Sequence, residues 1–445
     1  MLSKLYIKGV TAYSQGNPKE AAQHLASYVA KSESHVDAWK VLGICYFDLA
    51  EYPKAIQAFE KTLQLQPKDA EIWFNLGLSY TKNQNLSQAI ACYSTCVQHN
   101  PQHAKAYVAL GDTHRAINQV DEAITHYMSA IHLRGLDAKD LLFKLSQVLL
   151  VKGSWQEGFE LFEHRIALDT AAREHSALPR WHGQDLQGKR ILVECEQGFG
   201  DSIQFSRYLQ VLHRAGAQVS LACPAPLQSL FQLAFPDVHV LLPGQQIEIS
   251  SVDYYTPLMS LAWLCHTTPE NVPYATSYLQ APQENKKKWA WLGQIQGLKV
   301  GLVWSGNPVH KNDKNRSMDF ETLIAGLPKN AQYFSLQKSD DLPPTSIHHT
   351  LTVLSKNIHD FADTSAICEH MDVVITVDTS IAHLSGALGR PTWVMLPFSP
   401  DWRWLLNRDD SVWYEHVKLF RQHSMGDWPS VVTRVAQELS TLSLP

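Results

Sequence analysis

Small and aromatic residues recur along the first third of the chain at a fixed step. Gly9, Gly43, Gly77 and Gly111 stand 34 residues apart; Ala21, Ala55, Ala89 and Ala123 keep that interval, as do Leu25, Phe59, Tyr93 and Tyr127. Trp39, Trp73 and Tyr107 precede three of the glycines by four positions, and Pro67 and Pro101 each close a unit. A repeat of this length predicts a stacked array, because one unit cannot bury its apolar face alone. After a polar, turn-rich stretch at 173–189 the pattern changes. ILVECE (191–196) reads as a strand, QGFGDS as a loop, IQFSRYLQVLHRAG as a helix ending at Gly216, and QVSLACP as another strand. Strand, glycine-containing loop, helix and strand form a βαβ unit and imply a parallel sheet. A second such region begins at LKVGLVWSG (298–306) and continues through YFSLQK (333–338), TVLS (352–355), DVVITVD (372–378) and PTWVML (391–396). Polar ENKKKWAWLGQIQG (284–297) separates the two α/β halves.

The 34-residue pattern resembles tetratricopeptide repeats, whose unit is a helix–turn–helix. Small residues at the glycine and alanine positions let paired helices approach closely, the aromatic fills the space between units, and proline ends the second helix. Four clear units and a degenerate fifth over 138–172, through SWQEGFELFEHR, give an array spanning 1–172, the last unit serving as a cap. Most of the aromatics are packing residues. The family pattern assigns Lys40, Phe47, Asp48, Phe74, Lys82, Asp112 and Arg115 to a concave groove. The resemblance implies a protein or peptide partner there.

With 445 residues, 45% of them apolar, the chain has material for two or three cored domains. Its 38 Lys and Arg against 43 Asp and Glu give a formal charge of −5, which lacks the broad basic field that nucleic-acid binding needs. Phosphate chemistry therefore has to come from a local cluster. The seven cysteines are scattered without C-x-x-C spacing, so neither a disulfide framework nor a zinc knuckle is expected; Cys92 and Cys96 fall within one helix as buried thiols. With no signal-like leader and no apolar run of about 18 residues, the sequence reads as a soluble cytoplasmic protein without a transmembrane segment. No D-x-D occurs, so a metal-bridged diphosphate has no evident ligand pair, and neither metal nor cofactor is expected.

Three loops at strand ends carry the candidate chemistry. Gln197-Gly198-Phe199-Gly200-Asp201-Ser202 places glycines where a backbone can approach a ligand and a helix start offers free N–H groups to an anion. A dinucleotide fingerprint would need a third glycine where Ile203 stands and an acid near Cys223-Pro224, so an oxidoreductase reading fails. Asp201 is equally suited to cap the helix and to act as a general base. The second loop runs from Ser305 through Asn307 to Ser317 and concentrates Lys311, Lys314 and Arg316, either as a solvated basic loop or as phosphate ligands. In the third, Asp378, Thr379 and Ser380 precede the helix IAHLSGALG, and their free N–H groups suit a diphosphate. His383 lies one turn further on and, taken alone, is a satisfied interior histidine. PFSPDWRWLL (397–406) adds aromatic surface near the same rim, most of its tryptophans packing.

GFGDS after a strand, then SGNPVHKNDKNRS, then TVDTSIAHLSGALGRPTWVMLPFSPDWRWLL resembles the heptosyltransferase-type glycosyltransferases over roughly 185–430. In combination with the repeats, the chain resembles bacterial proteins that join tetratricopeptide repeats to such a module. The resemblance implies a GT-B architecture, a repeat α-solenoid followed by two Rossmann-like α/β halves, 190–283 on the acceptor side and 298–430 on the nucleotide-sugar side, with 173–189 as linker and 431–445 as a terminal helix. It makes Asp201 the general base, with Asp378, Thr379, Ser380 and His383 contacting a nucleotide-diphosphate sugar. It assigns the donor phosphates to Lys311, Lys314 or Arg316 and places Gln337 at a nucleotide contact. Gly198, Gly200, Ser305 and Asn307 belong to the same donor-binding loops. The expected reaction is an inverting, metal-independent glycosyl transfer with the repeats recruiting a protein; the rival is a repeat scaffold whose glycosyltransferase-like fold has lost its chemistry.

Overall fold

The computed structural model describes residues 2–135, 137–168, 178–241, 245, 248, 251–338 and 351–442. Two compact units divide the chain, Met1–Val148 and Leu149–Pro445.

The first unit pairs Leu2–Ser14 with Pro18–Val29, Val36–Asp48 with Tyr52–Leu65, Ala70–Lys82 with Leu86–His99, and Ala104–Ala116 with Val120–Arg134. Short polar turns set the starts: Asn17, Asp69 and Asn85 each accept a backbone N–H from the first turn of the helix they precede. Each repeat glycine faces the large residue of the second helix of its own pair. A Cβ on Gly43 would lie 2.6 Å from the Phe59 ring, one on Gly77 2.5 Å from Tyr93, and one on Gly111 2.7 Å from Tyr127. The aromatic therefore fills the space inside a pair, not only the space between pairs. Gly77→Val is expected to destabilise the repeats by roughly 1–3 kcal/mol, since Tyr93 must leave its buried place. Gly9→Ala adds a single methyl against Leu25 and the Ala21 carbonyl and should cost less. Thermal unfolding of the full chain checks both. Cys92 and Cys96 are buried in Leu86–His99, and burial pushes each thiol up to about 12.

Lys139–Lys152 spans the division between units, and Trp155–Phe162 belongs with the second. These two helices lie within the degenerate fifth repeat expected at 138–172, whose residues 169–172 lie outside the described part. Trp155 stacks on Trp413 at 4.8 Å and meets Trp402 edge-on, while Phe159 and Phe162 also pack on Trp402. The helix has become core of the α/β unit.

In that unit, β1 (Arg190–Glu194), β2 (Gln218–Ala222), β3 (Val238–Leu241) and β4 (Tyr254–Pro257) form a parallel sheet in the order β3-β2-β1-β4. A second parallel sheet holds β5 (Lys299–Val303), β6 (Gln332–Ser335), β7 (Leu351–Val353), β8 (Val373–Val377), β9 (Thr392–Leu396) and β10 (Val417–Arg421), ordered β10-β9-β8-β5-β6-β7. Strand order reverses between β1 and β4 and between β5 and β8. Loops leaving the carboxyl ends of β1, β5 and β8 thus sit at the switch points where parallel sheets receive ligands.

Several expected boundaries shift. The helix predicted to run unbroken to Gly216 is two, Phe199–Phe205 and Arg207–Arg214. The Ile203 and Gln204 carbonyls accept from the Tyr278 hydroxyl, and Gln204 O also from Arg207 Nε, so side chains take bonds that the helix would use. Gly216, with φ +84°, does end the second helix. The expected linker 173–189 is not a free connector over its described part, because Trp181 N–H donates to Tyr255 O and Tyr255 N–H to Pro179 O at β4; residues 173–177 lie outside the described part. The segment 284–297 is not a solvated separator either. Gln283–Trp289 is a helix fixed by buried Asp363, which accepts from Lys288 Nζ at 2.8 Å, Trp289 Nε1 at 2.9 Å and Asn285 Nδ2 at 2.9 Å. The terminal helix begins earlier than 431, as Trp428–Leu442, and buries Val431, Val432, Val435 and Leu439 in the core of the second sheet; residues 443–445 lie outside the described part.

Candidate functional site

The loop after β1 turns through Gln197, held at φ +60°, into the Phe199–Phe205 helix. Asp201 Oδ2 accepts the Gly198 N–H at 2.8 Å, so the carboxylate does cap its own helix. Its other oxygen, Oδ1, forms an ion pair with Arg403 Nη2. Arg403 follows β9 and is almost fully buried. It gives Nη1 to Asp401 at 2.8 Å and Nε to Gln204 Oε1 at 2.6 Å, and lies over the Trp402 ring at 4.4 Å. One guanidinium thus ties the first sheet's leading loop to the second sheet's rim.

Gly200 has a different use from the one expected. A Cβ there would come within 2.9 Å of His383 Cδ2 and 3.4 Å of Ser380 Cα, so its missing side chain lets the Phe199–Phe205 and Ser380–Ala387 helices touch. Gly306 likewise makes room for a side chain, with Arg316 Nη2 2.5 Å from the position its Cβ would take.

The loop after β5 folds on itself. Ser317 Oγ accepts the Gly306 N–H at 2.9 Å and donates to Asp313 at 2.9 Å, and Asn307 Oδ1 accepts the Val309 N–H. Ser305 N–H donates to Gln337 Oε1 at 3.3 Å, joining this loop to the end of β6. Arg316 pairs through Nε with Asp313 at 3.2 Å and donates Nη1 to the Asp378 carbonyl at 3.0 Å. Lys311 and Lys314 are exposed and form no ion pair among the described residues. Of the three expected phosphate cations, Arg316 points into the shared site and already serves as a strut; the lysines stand free on its rim.

After β8, Thr379 rather than Asp378 caps the Ser380–Ala387 helix, accepting the Ile381 N–H. Asp378 is half-buried, and its carboxyl is raised above the ordinary range by burial first and by the like charge of Asp401 second. His383 is interior: Nδ1 meets the Tyr414 hydroxyl at 2.9 Å and the ring stacks on Trp404 at 5.4 Å. Burial, then the Arg403 charge, push it down to about 3, so the imidazole is neutral. Direct donor contact by His383, as expected, does not fit a ring enclosed by Gly200, Trp404 and Tyr414; it supports the site from behind.

A buried carboxylate raised in this way favours the folded state below its unfolded pKa, and this advantage is lost as pH rises through the folded value. Asp378→Asn should therefore raise the melting temperature at pH 7, by about 1 kcal/mol of stability, and the gain should vanish near pH 4. Thermal melts across that range check the sign.

Sequence reasoning missed Arg403, Asp401, Gln204 and His310. His310 is lowered mainly by burial and by Arg316, with Asp401, Asp313 and Asp201 close enough to oppose the shift. The available signal was an Asp-Trp-Arg-Trp run just past a buried strand, with a cation between rings otherwise suited to packing. In the repeats, Phe74 is not free for a groove ligand, being buried against Tyr93 and His103. Lys40 pairs with Asp69 at 3.5 Å, Asp112 with Lys144 at 2.7 Å, and Arg115 donates to Gln147 at 2.8 Å. These groups brace neighbouring helices. Among the described residues no group of three or more His, Cys, Asp or Glu side chains is placed to hold a metal ion, and no helix is long and apolar enough to cross a membrane.

Tetratricopeptide repeat models match residues 8–70, 70–103 and 102–169. Protein FlbA of Caulobacter vibrioides is 28% identical over 333 residues, 68% of this chain and 55% of that protein, so the chain spans about half of its relative's length. Among solved structures, MamA 41-end from Desulfovibrio magneticus RS-1 is 22% identical, with 38% of this chain and 96% of that one covered at a TM-score of 0.35. YrrB, described as a TPR protein with an unusual peptide-binding site, is 16% identical, with 39% and 90% covered at a TM-score of 0.35. The chain thus carries tetratricopeptide repeats in an N-terminal helical region, followed by an α/β region with parallel sheets.

Proposed function

We propose that the α/β unit transfers a sugar from a nucleotide-activated donor, of the nucleotide-diphosphate type, to an acceptor hydroxyl, while the repeats recruit a protein. Repeats of this kind suggest protein–protein interaction, and a protein acceptor or partner would use them. The observation that carries the catalytic reading is the meeting of three switch-point loops, after β1, β5 and β8, around Arg403, Asp201, Arg316 and Asp378.

In this reading the donor phosphates lie against Arg316 and the start of the Ser380–Ala387 helix, with Lys311 and Lys314 drawing them in. The acceptor oxygen bonds to the anomeric carbon as the carbon–phosphate oxygen bond breaks. The bonding pair leaves with the nucleotide, and the hydroxyl proton passes to Asp201. Attack opposite the leaving group inverts the anomeric centre. Cations and helix N–H groups supply the charge stabilisation that oxyanion-type sites provide.

The test is turnover of nucleotide mono- and diphosphate sugars by the full chain, with and without cell extract as acceptor. Release of nucleotide that depends on Asp201 supports the transferase. No release from any donor leaves a scaffold, a reading consistent with an Asp201 whose two oxygens already have partners.

A further inference from the structure

We propose that Arg403 withholds Asp201 until a phosphate group arrives, so that the donor must bind before an acceptor hydroxyl can be deprotonated. This rests on the glycosyl-transfer reading above.

The guanidinium is fully engaged, with Nη2 on Asp201, Nη1 on Asp401 and Nε on Gln204. Three carboxylates, Asp201, Asp378 and Asp401, share this site with two guanidinium groups, Arg403 and Arg316. A site built to take phosphate is thus already occupied by the protein's own anions. A phosphate gains Arg403 only by displacing a carboxylate, and Asp201 is the one among Arg403's two carboxylate partners that comes from the other sheet. One buried donor beside the guanidinium has no acceptor: Gln204 Nε2 is unpartnered although the residue is fully buried. Trp404 Nε1 faces the Asp378 carboxyl. An orphaned buried N–H group is costly, and an incoming anion would satisfy it.

Asp201 is held by Arg403 on one oxygen and by the Gly198 N–H on the other, so neither oxygen is free to meet an acceptor hydroxyl. Once Arg403 turns to phosphate, Oδ1 of Asp201 is released to take that hydroxyl's hydrogen. Arg403 is thus a positioning residue for Asp201 and a ligand for the donor in turn.

Inorganic pyrophosphate, titrated calorimetrically into the full chain, separates the possibilities. If Asp201 competes with phosphate for Arg403, Asp201→Asn should bind pyrophosphate about tenfold more tightly than the natural chain at pH 7.5, equivalent to roughly 1.4 kcal/mol. Asp201→Asn/Arg403→Lys should bind no more tightly than Arg403→Lys alone. Asp201→Ser provides the same comparison should the amide disturb the helix cap. Equal or weaker pyrophosphate binding by both folded Asp201 variants overturns the gate while leaving the transferase reading intact. A natural chain that binds neither pyrophosphate nor any nucleotide sugar removes both.

Discussion

Asp201→Asn is expected to lower sugar transfer by roughly 100- to 10,000-fold, the range that general-base assistance supplies. The amide keeps the shape of the carboxylate and its place in the first turn of the Phe199–Phe205 helix, but it cannot take a proton from the attacking hydroxyl. Donor binding should survive or tighten, because the phosphate ligands lie on the loops after β5 and β8 and on Arg403, which the substitution releases from its carboxylate. A rate lost together with donor binding would instead mean that the ion pair to Arg403 holds the two sheets' loops in place. A rate left unchanged would make Asp201 a helix cap and nothing more. Measuring turnover beside donor affinity separates the three outcomes.

The second large effect concerns stability. Arg165 is buried behind the end of β1, where it donates Nε to Glu196 at 3.0 Å and Nη2 to the same carboxylate at 2.5 Å. It also reaches Glu163 at 2.6 Å and Ser260 at 2.9 Å. Arg180 joins the group through Glu163, and the Met259 N–H donates to Glu196. Arg165→Met strands Glu196, whose carboxyl burial already raises, and should cost about 3–5 kcal/mol, the range for breaking a buried pair. With its cation removed, Glu196 takes up a proton more readily when folded, so the loss should deepen as pH rises through that value and ease in acid. Arg165→Met/Glu196→Leu should recover much of it, since apolar replacement of a whole buried pair is often neutral. Thermal melts at pH 5 and pH 8 on the three proteins check the sequence. A full loss that persists in the double variant would assign the cost to packing on Phe162 instead of to charge.

What could be read along the chain divides by the reach of the interactions. The 34-residue step was legible because Gly77 and Tyr93 meet within one helical pair, and local geometry repeats with the period. Strands β1, β5, β8 and β9 were legible as apolar runs, since buried parallel strands need apolar residues on both faces. β3 and β4 are four residues each, and β10 carries Lys418 and Arg421, so none of the three stood out. In the site, the loops could be placed from glycine, asparagine and aspartate after strands. Their mutual geometry could not. Arg403 and Asp201 lie 202 positions apart, and nothing near either residue announces the other. Shorter separations had the same effect: 31 positions hid the Arg165–Glu196 pair, and 284–297 passed for a separator because Asp363, which anchors it, sits 75 positions beyond Lys288.

Hydrogen–deuterium exchange on the full chain, with and without a nucleotide sugar, examines the shared site most directly. A single bound donor should slow exchange together in 197–205, 305–317, 378–383 and 399–405, since all four segments meet around Arg403. Protection confined to one of these segments, or no protection by any donor at millimolar concentration, would contradict a common site and leave the repeats as the working surface of the protein.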